Sequence, residues 1–192
     1  NFKRSGVLGI LATKLTGVRA KGVSTDGGLM FVKSDARKID FSGLQFIGTR
    51  NRYNYFFVVE SDWSGANVSN SMLRLFLKSS TFTNSNLSGS YIAHIVASDL
   101  SNSKFLKGHL RKSLLQDSKF DGSDFSSADL SWANMSGSSF KGANFSGADL
   151  AGANLSNTDL SNTNFTGANL EDVNLEGANL CEATAPSGDL LF

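Results

Sequence analysis

From Leu100 to Leu180 every fifth residue is large and apolar, in the unbroken series Leu100, Phe105, Leu110, Leu115, Phe120, Phe125, Leu130, Met135, Phe140, Phe145, Leu150, Leu155, Leu160, Phe165, Leu170, Leu175 and Leu180. Two positions earlier the residue is nearly always small, as at Ser103, Ser123, Ala133, Ala143 and Ala153, and between the two sits mostly Asn or Asp. A helix face repeats at 3.6 residues and a half-buried strand at 2, so a period of five fits neither. A chain that turns a corner every five residues does fit, with one large and one small side chain inward on each side and the polar residue facing water.

A second period lies on the first. Phe105, Phe125, Phe145 and Phe165 stand 20 apart, as do Leu110, Leu130, Leu150 and Leu170. Four sides therefore make one coil of about 20 residues, and each coil places like over like. Such a core is held by neighbour contacts along one axis, and stacked rings add to the burial of apolar area.

Upstream the register shifts. Leu77, Phe82, Leu87 and Ile92 form one run, Trp63, Val68 and Leu73 another, and Phe31, Ala36, Phe41 and Phe46 a third, whose small site holds Leu29, Ile39 and Leu44. The breaks fall at 46–53, 73–77 and 92–95, each demanding gained or lost residues. Val18 and Val23 are compatible with a first coil. The expected organisation is one continuous domain: irregular, looped coils over 1–97, regular coils over 98–183, and a tail or linker over 184–192. The apolar end at Leu190-Leu191-Phe192 reads as a tail folded over the last coil or an open end available for self-association, and with no initiator Met the chain also reads as a piece of a larger protein.

The repeats Gly142-Ala143-Asn144-Phe145 and Gly147-Ala148-Asp149-Leu150 resemble the pentapeptide-repeat family, with its Ala-Asp/Asn-Leu-x-x pattern. The resemblance implies an all-β fold, a right-handed quadrilateral parallel β-helix (a solenoid) with coils stacked at about 4.8 Å, the usual strand spacing. It also implies a protein-interaction or scaffold role. Its settings include the β-helix ahead of the catalytic part of HECT-like ubiquitin-ligase effectors of bacteria. The alternative it offers is a mimic of duplex DNA that inhibits or protects bacterial DNA gyrase, which needs acidic outer columns.

Charge divides the chain. Residues 1–120 hold 17 Lys and Arg against 7 Asp and Glu, and residues 121–192 hold 1 against 10, although the whole chain is only +1. Lys104, Lys107, His109, Arg111, Lys112 and Lys119 fall within one coil length and form a candidate site for an acidic partner. Phosphates are the other anions such a cluster could meet, but the aromatics that would stack on bases are expected inside. The break at 46–53 adds Arg50, Arg52, Tyr53 and Tyr55, residue types enriched in interface hot spots.

Catalysis finds no constellation. His94 and His109 lack metal-ligand spacing, and the single Cys181 has no neighbouring His. Glu171-Asp172 and the Asp121/Asp124 pair sit at outward repeat positions. No Gly-rich phosphate loop appears, and no apolar run reaches the ~18 residues of a membrane span. The expectation is a non-enzymatic chain without cofactor, metal or small-molecule substrate. Its partner would be another protein, and its location soluble, in the cytoplasm or as a secreted effector.

Overall fold

The structure, a computed structural model, describes residues 8–11, 24–25, 29–42, 45–46, 55–71 and 74–191. The chain winds into a right-handed parallel β-helix, and no helix occurs among the described residues. From Asp99 downward the outward residues of successive coils bridge in parallel at a constant spacing of 20, as in Asp99 to Lys119 and Lys104 to Asp124. The four inward columns are fully buried through most of this stack. Phe105, Phe125, Phe145 and Phe165 stack with ring centroids 4.4, 5.1 and 5.3 Å apart, and Phe120 lies 4.9 Å from Phe140. At about 1.5–3 kcal/mol per buried side chain, these columns dominate the stability.

Each corner is a two-residue turn. The carbonyl of the inward residue accepts the N–H three positions on, as from Ala143 to Phe140 at 2.8 Å. The second turn residue has positive φ, which explains the Gly at 142, 147 and 167, though Lys107 and Lys112 also adopt it. The outward Asp or Asn clamps this turn: Asp124 accepts the N–H of Ser126 at 3.0 Å, and Asp129 that of Ser131 at 3.1 Å. The polar member of the repeat thus does more than face water; it satisfies a turn donor.

The upper coils differ on one wall. Strands β1 (Leu8–Leu11), β3 (Leu29–Val32), β5 (Tyr55–Val59), β6 (Arg74–Lys78) and β7 (Ile92–Val96) form a five-stranded parallel sheet in the order β1-β3-β5-β6-β7. A shorter parallel pair joins β2 (Ser24–Thr25) to β4 (Gln45–Phe46). In the long sheet the buried residues alternate, Leu29 and Phe31, Phe56 and Val58, Leu75 and Leu77, so the chain runs straight where lower coils turn a corner. The straight wall backs an aromatic cluster of Phe31, Phe41, Phe56 and Trp63, with Trp63 stacked 5.5 Å above Phe82.

The three register breaks acquire causes. Ser24 and Leu29 pair with Gln45 and Phe56 of the next coil. The chain takes five steps between the first two and eleven between the second two, so six extra residues lie between β4 and β5. That segment, with Arg50, Arg52 and Tyr53, lies outside the described residues. At the second break Leu73 lies outside the described residues, and the straight wall carries Leu75 and then Leu77 inward. At the third, Tyr91 bridges His109 and His94 bridges Leu114. Three residues span what five span one coil lower.

At the lower end Leu170, Val173, Leu175, Ala178 and Leu180 are only partly buried. The stack continues past 183, since Thr184 bridges Asn164 and Gly167 donates to Pro186. β8 (Ala183–Thr184) then pairs antiparallel with β9 (Leu190–Leu191), leaving Leu190 73% exposed instead of folded over the core.

Candidate binding notch and basic coil

The coil 104–119 departs from the repeat in one respect. Its four outward bridging residues are Lys104, His109, Leu114 and Lys119, one per side, where neighbouring coils carry mainly Asp, Asn or Ser. Lys and Leu have no acceptor to clamp the turn, and His109 makes no such bond. This coil therefore gives up a hydrogen bond on each side, each worth about 0.5–1.5 kcal/mol. The local rule is thus broken four times in one coil, in favour of cationic and apolar groups.

The coil does not gather all its cations in one place. Lys104 bridges Asn86 and Asp124 on one side, Lys119 bridges Asp99 and Ser139 on another, and Lys107 occupies a turn. Lys119 also lies 3.6 Å from Asp121. His109, Arg111 and Lys112 do come together, and they meet Arg74 and His94, which the linear cluster does not contain. Tyr55 is placed in β5, one coil above Arg74, with which it pairs.

What joins these residues is the short third break. Ala93-His94-Ile95 stacks in register on Ser113-Leu114-Leu115: Leu114 donates to the carbonyl of Ala93 at 2.9 Å, and Ile95 to that of Leu114 at 2.7 Å. Only the two turn residues that should follow Ile92 are missing. Lower corners on this edge stack one over another, Lys112 donating to Ser131 at 2.9 Å and Trp132 to Ala151 at 2.8 Å. The coil above Arg111 and Lys112 has no corner to place over them. The result is an open notch of about 530 Å³ lined by Arg74, Tyr91, Ile92, Ala93, His94, His109, Arg111, Lys112 and Asp129.

The missing corner leaves a trace in the core. Inward serines donate to the carbonyl of the preceding inward residue one coil up, as Ser103 does to Phe82 at 2.7 Å and Ser123 to Leu100 at 2.8 Å. By the same geometry Ser113 should reach Ile92, but its buried hydroxyl has no partner. Within the notch lining Tyr91 and His109 stack at 4.3 Å, and Phe76 packs on His94 at 4.6 Å. One coil below, Trp132 is 57% exposed and lies over Gly152, where a Cβ would come within 2.8 Å of its ring. Tyr91, at 44% exposed, and Trp132 thus correct the expectation that the aromatics are all inside.

Charge in the notch is one-sided. Arg74, Arg111 and Lys112 form no ion pair among the described residues; Arg111 donates to the Ser131 hydroxyl at 3.1 Å. Asp129 is the sole carboxylate of the lining, and it is engaged by the N–H and hydroxyl of Ser131. Among the described residues no three His, Cys, Asp or Glu side chains are grouped to hold a metal ion. Among the described residues no helix is long and apolar enough to cross a membrane.

A parallel β-helix with one large, one small and one amide or carboxylate residue per side defines a class, the quadrilateral repeat solenoids. The pattern described as "Pentapeptide repeats" matches residues 93–131, 109–142 and 143–180 in eight copies, so this segment is built of the repeats that define the pentapeptide-repeat family. The match starts at Ala93, the first residue after the missing corner.

Among solved structures, the chain is 21% identical to HetL, a pentapeptide repeat protein involved in heterocyst differentiation regulation from the cyanobacterium Nostoc sp. strain PCC 7120, over 94% of this chain and 92% of that one, with a TM-score of 0.41. A second Nostoc pentapeptide repeat protein, alr5209, is 40% identical over 43% of this chain and 66% of its own, with a TM-score of 0.40. A trypsin-treated form of QnrB1, a plasmid-mediated fluoroquinolone resistance protein, is 19% identical over 90% and 91%, with a TM-score of 0.48. All three scores fall below 0.5, so the family assignment rests on the repeats and the stack they build. No curated protein matches the chain.

Proposed function

We propose that this chain is a non-enzymatic interaction module that binds an acidic protein partner along the unclamped coil 104–119 and the notch above it. The supporting observation is the exchange of turn-clamping Asp and Asn for Lys104, His109, Leu114 and Lys119, beside cations without carboxylate partners. Long-range attraction from this basic end would speed encounter and orient the partner.

The test is to restore the repeat. Lys104→Asp, His109→Asn and Lys119→Asp together should raise the melting temperature while weakening binding to a fluorescein-labelled Glu-rich peptide at low salt. Binding unchanged in this variant removes the proposal.

DNA-gyrase mimicry is the second reading, favoured by the acidic lower half with Asp124, Asp129, Asp149 and Asp159 on outward columns. These columns are interrupted by Asn and Ser, and they continue upward into Lys104, His109 and Lys119. Gyrase supercoiling assayed with micromolar protein decides it.

A further inference from the structure

We infer that the notch left by the missing corner is a receptor for a phosphoryl group carried on a protein side chain. This rests on the reading of the basic coil as the partner-binding surface and names the chemistry it recognises. Arg74, Arg111 and Lys112 against Asp129 leave the lining two positive charges in excess with both imidazoles neutral. A phosphomonoester carries roughly −1.5 to −2 at neutral pH, so it is neutralised where a single carboxylate would leave cations unmet. Two guanidinium groups supply the planar paired donors that suit phosphate oxygens. His94 and His109 each offer an N–H in either protonation state.

The space agrees with the charge. A notch of about 530 Å³ exceeds what one phosphoryl group fills and opens to solvent, so the rest of the occupant can leave it. Its lining includes Tyr91, a flat, partly exposed surface against which an adjoining peptide can lie. The orphaned Ser113 hydroxyl shows that the cut corner has a cost in the core, and the notch is what that cost produces.

The experiment uses the whole chain and labelled nonapeptide mixtures with a central phosphoserine, phosphothreonine or phosphotyrosine, compared with unphosphorylated and Glu-substituted mixtures, by fluorescence anisotropy. The phosphorylated mixtures should bind tighter by about tenfold or more, and Arg74→Gln with Arg111→Gln should abolish the difference without lowering the melting temperature. Inorganic phosphate should compete weakly and sulfate less.

Glu peptides binding as tightly as phosphopeptides would overturn the phosphoryl assignment while leaving the acidic-partner reading intact. No binding of either would sink both. Preference for labelled oligouridylate over every peptide assigns the notch to nucleic acid and overturns the proposal. If the double variant melts early, Lys112→Gln serves as the second variant, and unchanged phosphopeptide affinity there also overturns it.

Discussion

The hydroxyl of Ser103 donates to the carbonyl of Phe82 one coil above at 2.7 Å, and its oxygen also receives the N–H of Ser85 at 3.1 Å. Ser113 occupies the equivalent small site on another side and makes neither bond. Ser103→Ala should therefore cost about 1–2 kcal/mol, while Ser113→Ala should be neutral or stabilising, because it removes a buried unpaired hydroxyl. Urea melts of the two variants check this; equal losses would refute the account of the missing corner.

The corner itself can be rebuilt. Inserting Asn-Gly between Ile92 and Ala93 gives that edge the turn its lower neighbours have, with Gly at the positive-φ position. The insertion variant should melt no earlier than the parent and should lose phosphopeptide binding, since the new turn fills the notch. In that background Ser113→Ala should become destabilising by about 1 kcal/mol, because the hydroxyl regains its acceptor. A double-mutant cycle reads this coupling directly.

Phe145 is fully buried between Phe125 and Phe165, with centroids at 5.1 and 5.3 Å. Phe145→Ala should cost about 3–5 kcal/mol, and Phe145→Lys should collapse the neighbouring coils. Asn144 lies outside, yet it accepts the Ser146 N–H at 3.1 Å and donates to Asp124 at 3.2 Å. Asn144→Lys should fold but lose about 1–2 kcal/mol, so the outward site is less permissive than its exposure suggests.

Asp159 titrates below the usual carboxylate range, chiefly because the Ser161 hydroxyl and then the Ser161 N–H bond its charged form. A depressed folded pKa contributes stability that is present above the unfolded value and lost as pH falls through the folded one. The Asp159 carboxyl should thus titrate late in an acid NMR titration. Asp159→Asn should lower stability near neutrality, where the charged form contributes, and flatten the acid limb of the stability curve.

The regular coils were legible because large residues every fifth position admit few folds. Lys104, His109, Arg111 and Lys112 were legible as charge, though not as a place, since one coil distributes its residues over four sides. The straight wall escaped notice because Met30, Phe57 and Phe76 are apolar on the outer face and hide the alternation of Leu29/Phe31, Phe56/Val58 and Leu75/Leu77. Arg74 and His94 joined the notch through a deletion, and a deletion leaves no residue to read. The one signal available was the run of Lys, His, Leu and Lys in the column otherwise rich in Asp and Asn.

The unclamped coil also has a bearing on how the molecule comes apart. In a stack held by nearest-neighbour terms, cooperativity travels only as far as each interface transmits it. The rung from Lys104 to Lys119 joins a straight-walled upper segment to a four-cornered lower one with the fewest side-chain turn locks. Unfolding should divide there, giving two transitions under mechanical pulling or native-state amide exchange, with the lower segment the last to open. A partner seated on that rung would weld the two segments into one cooperative unit.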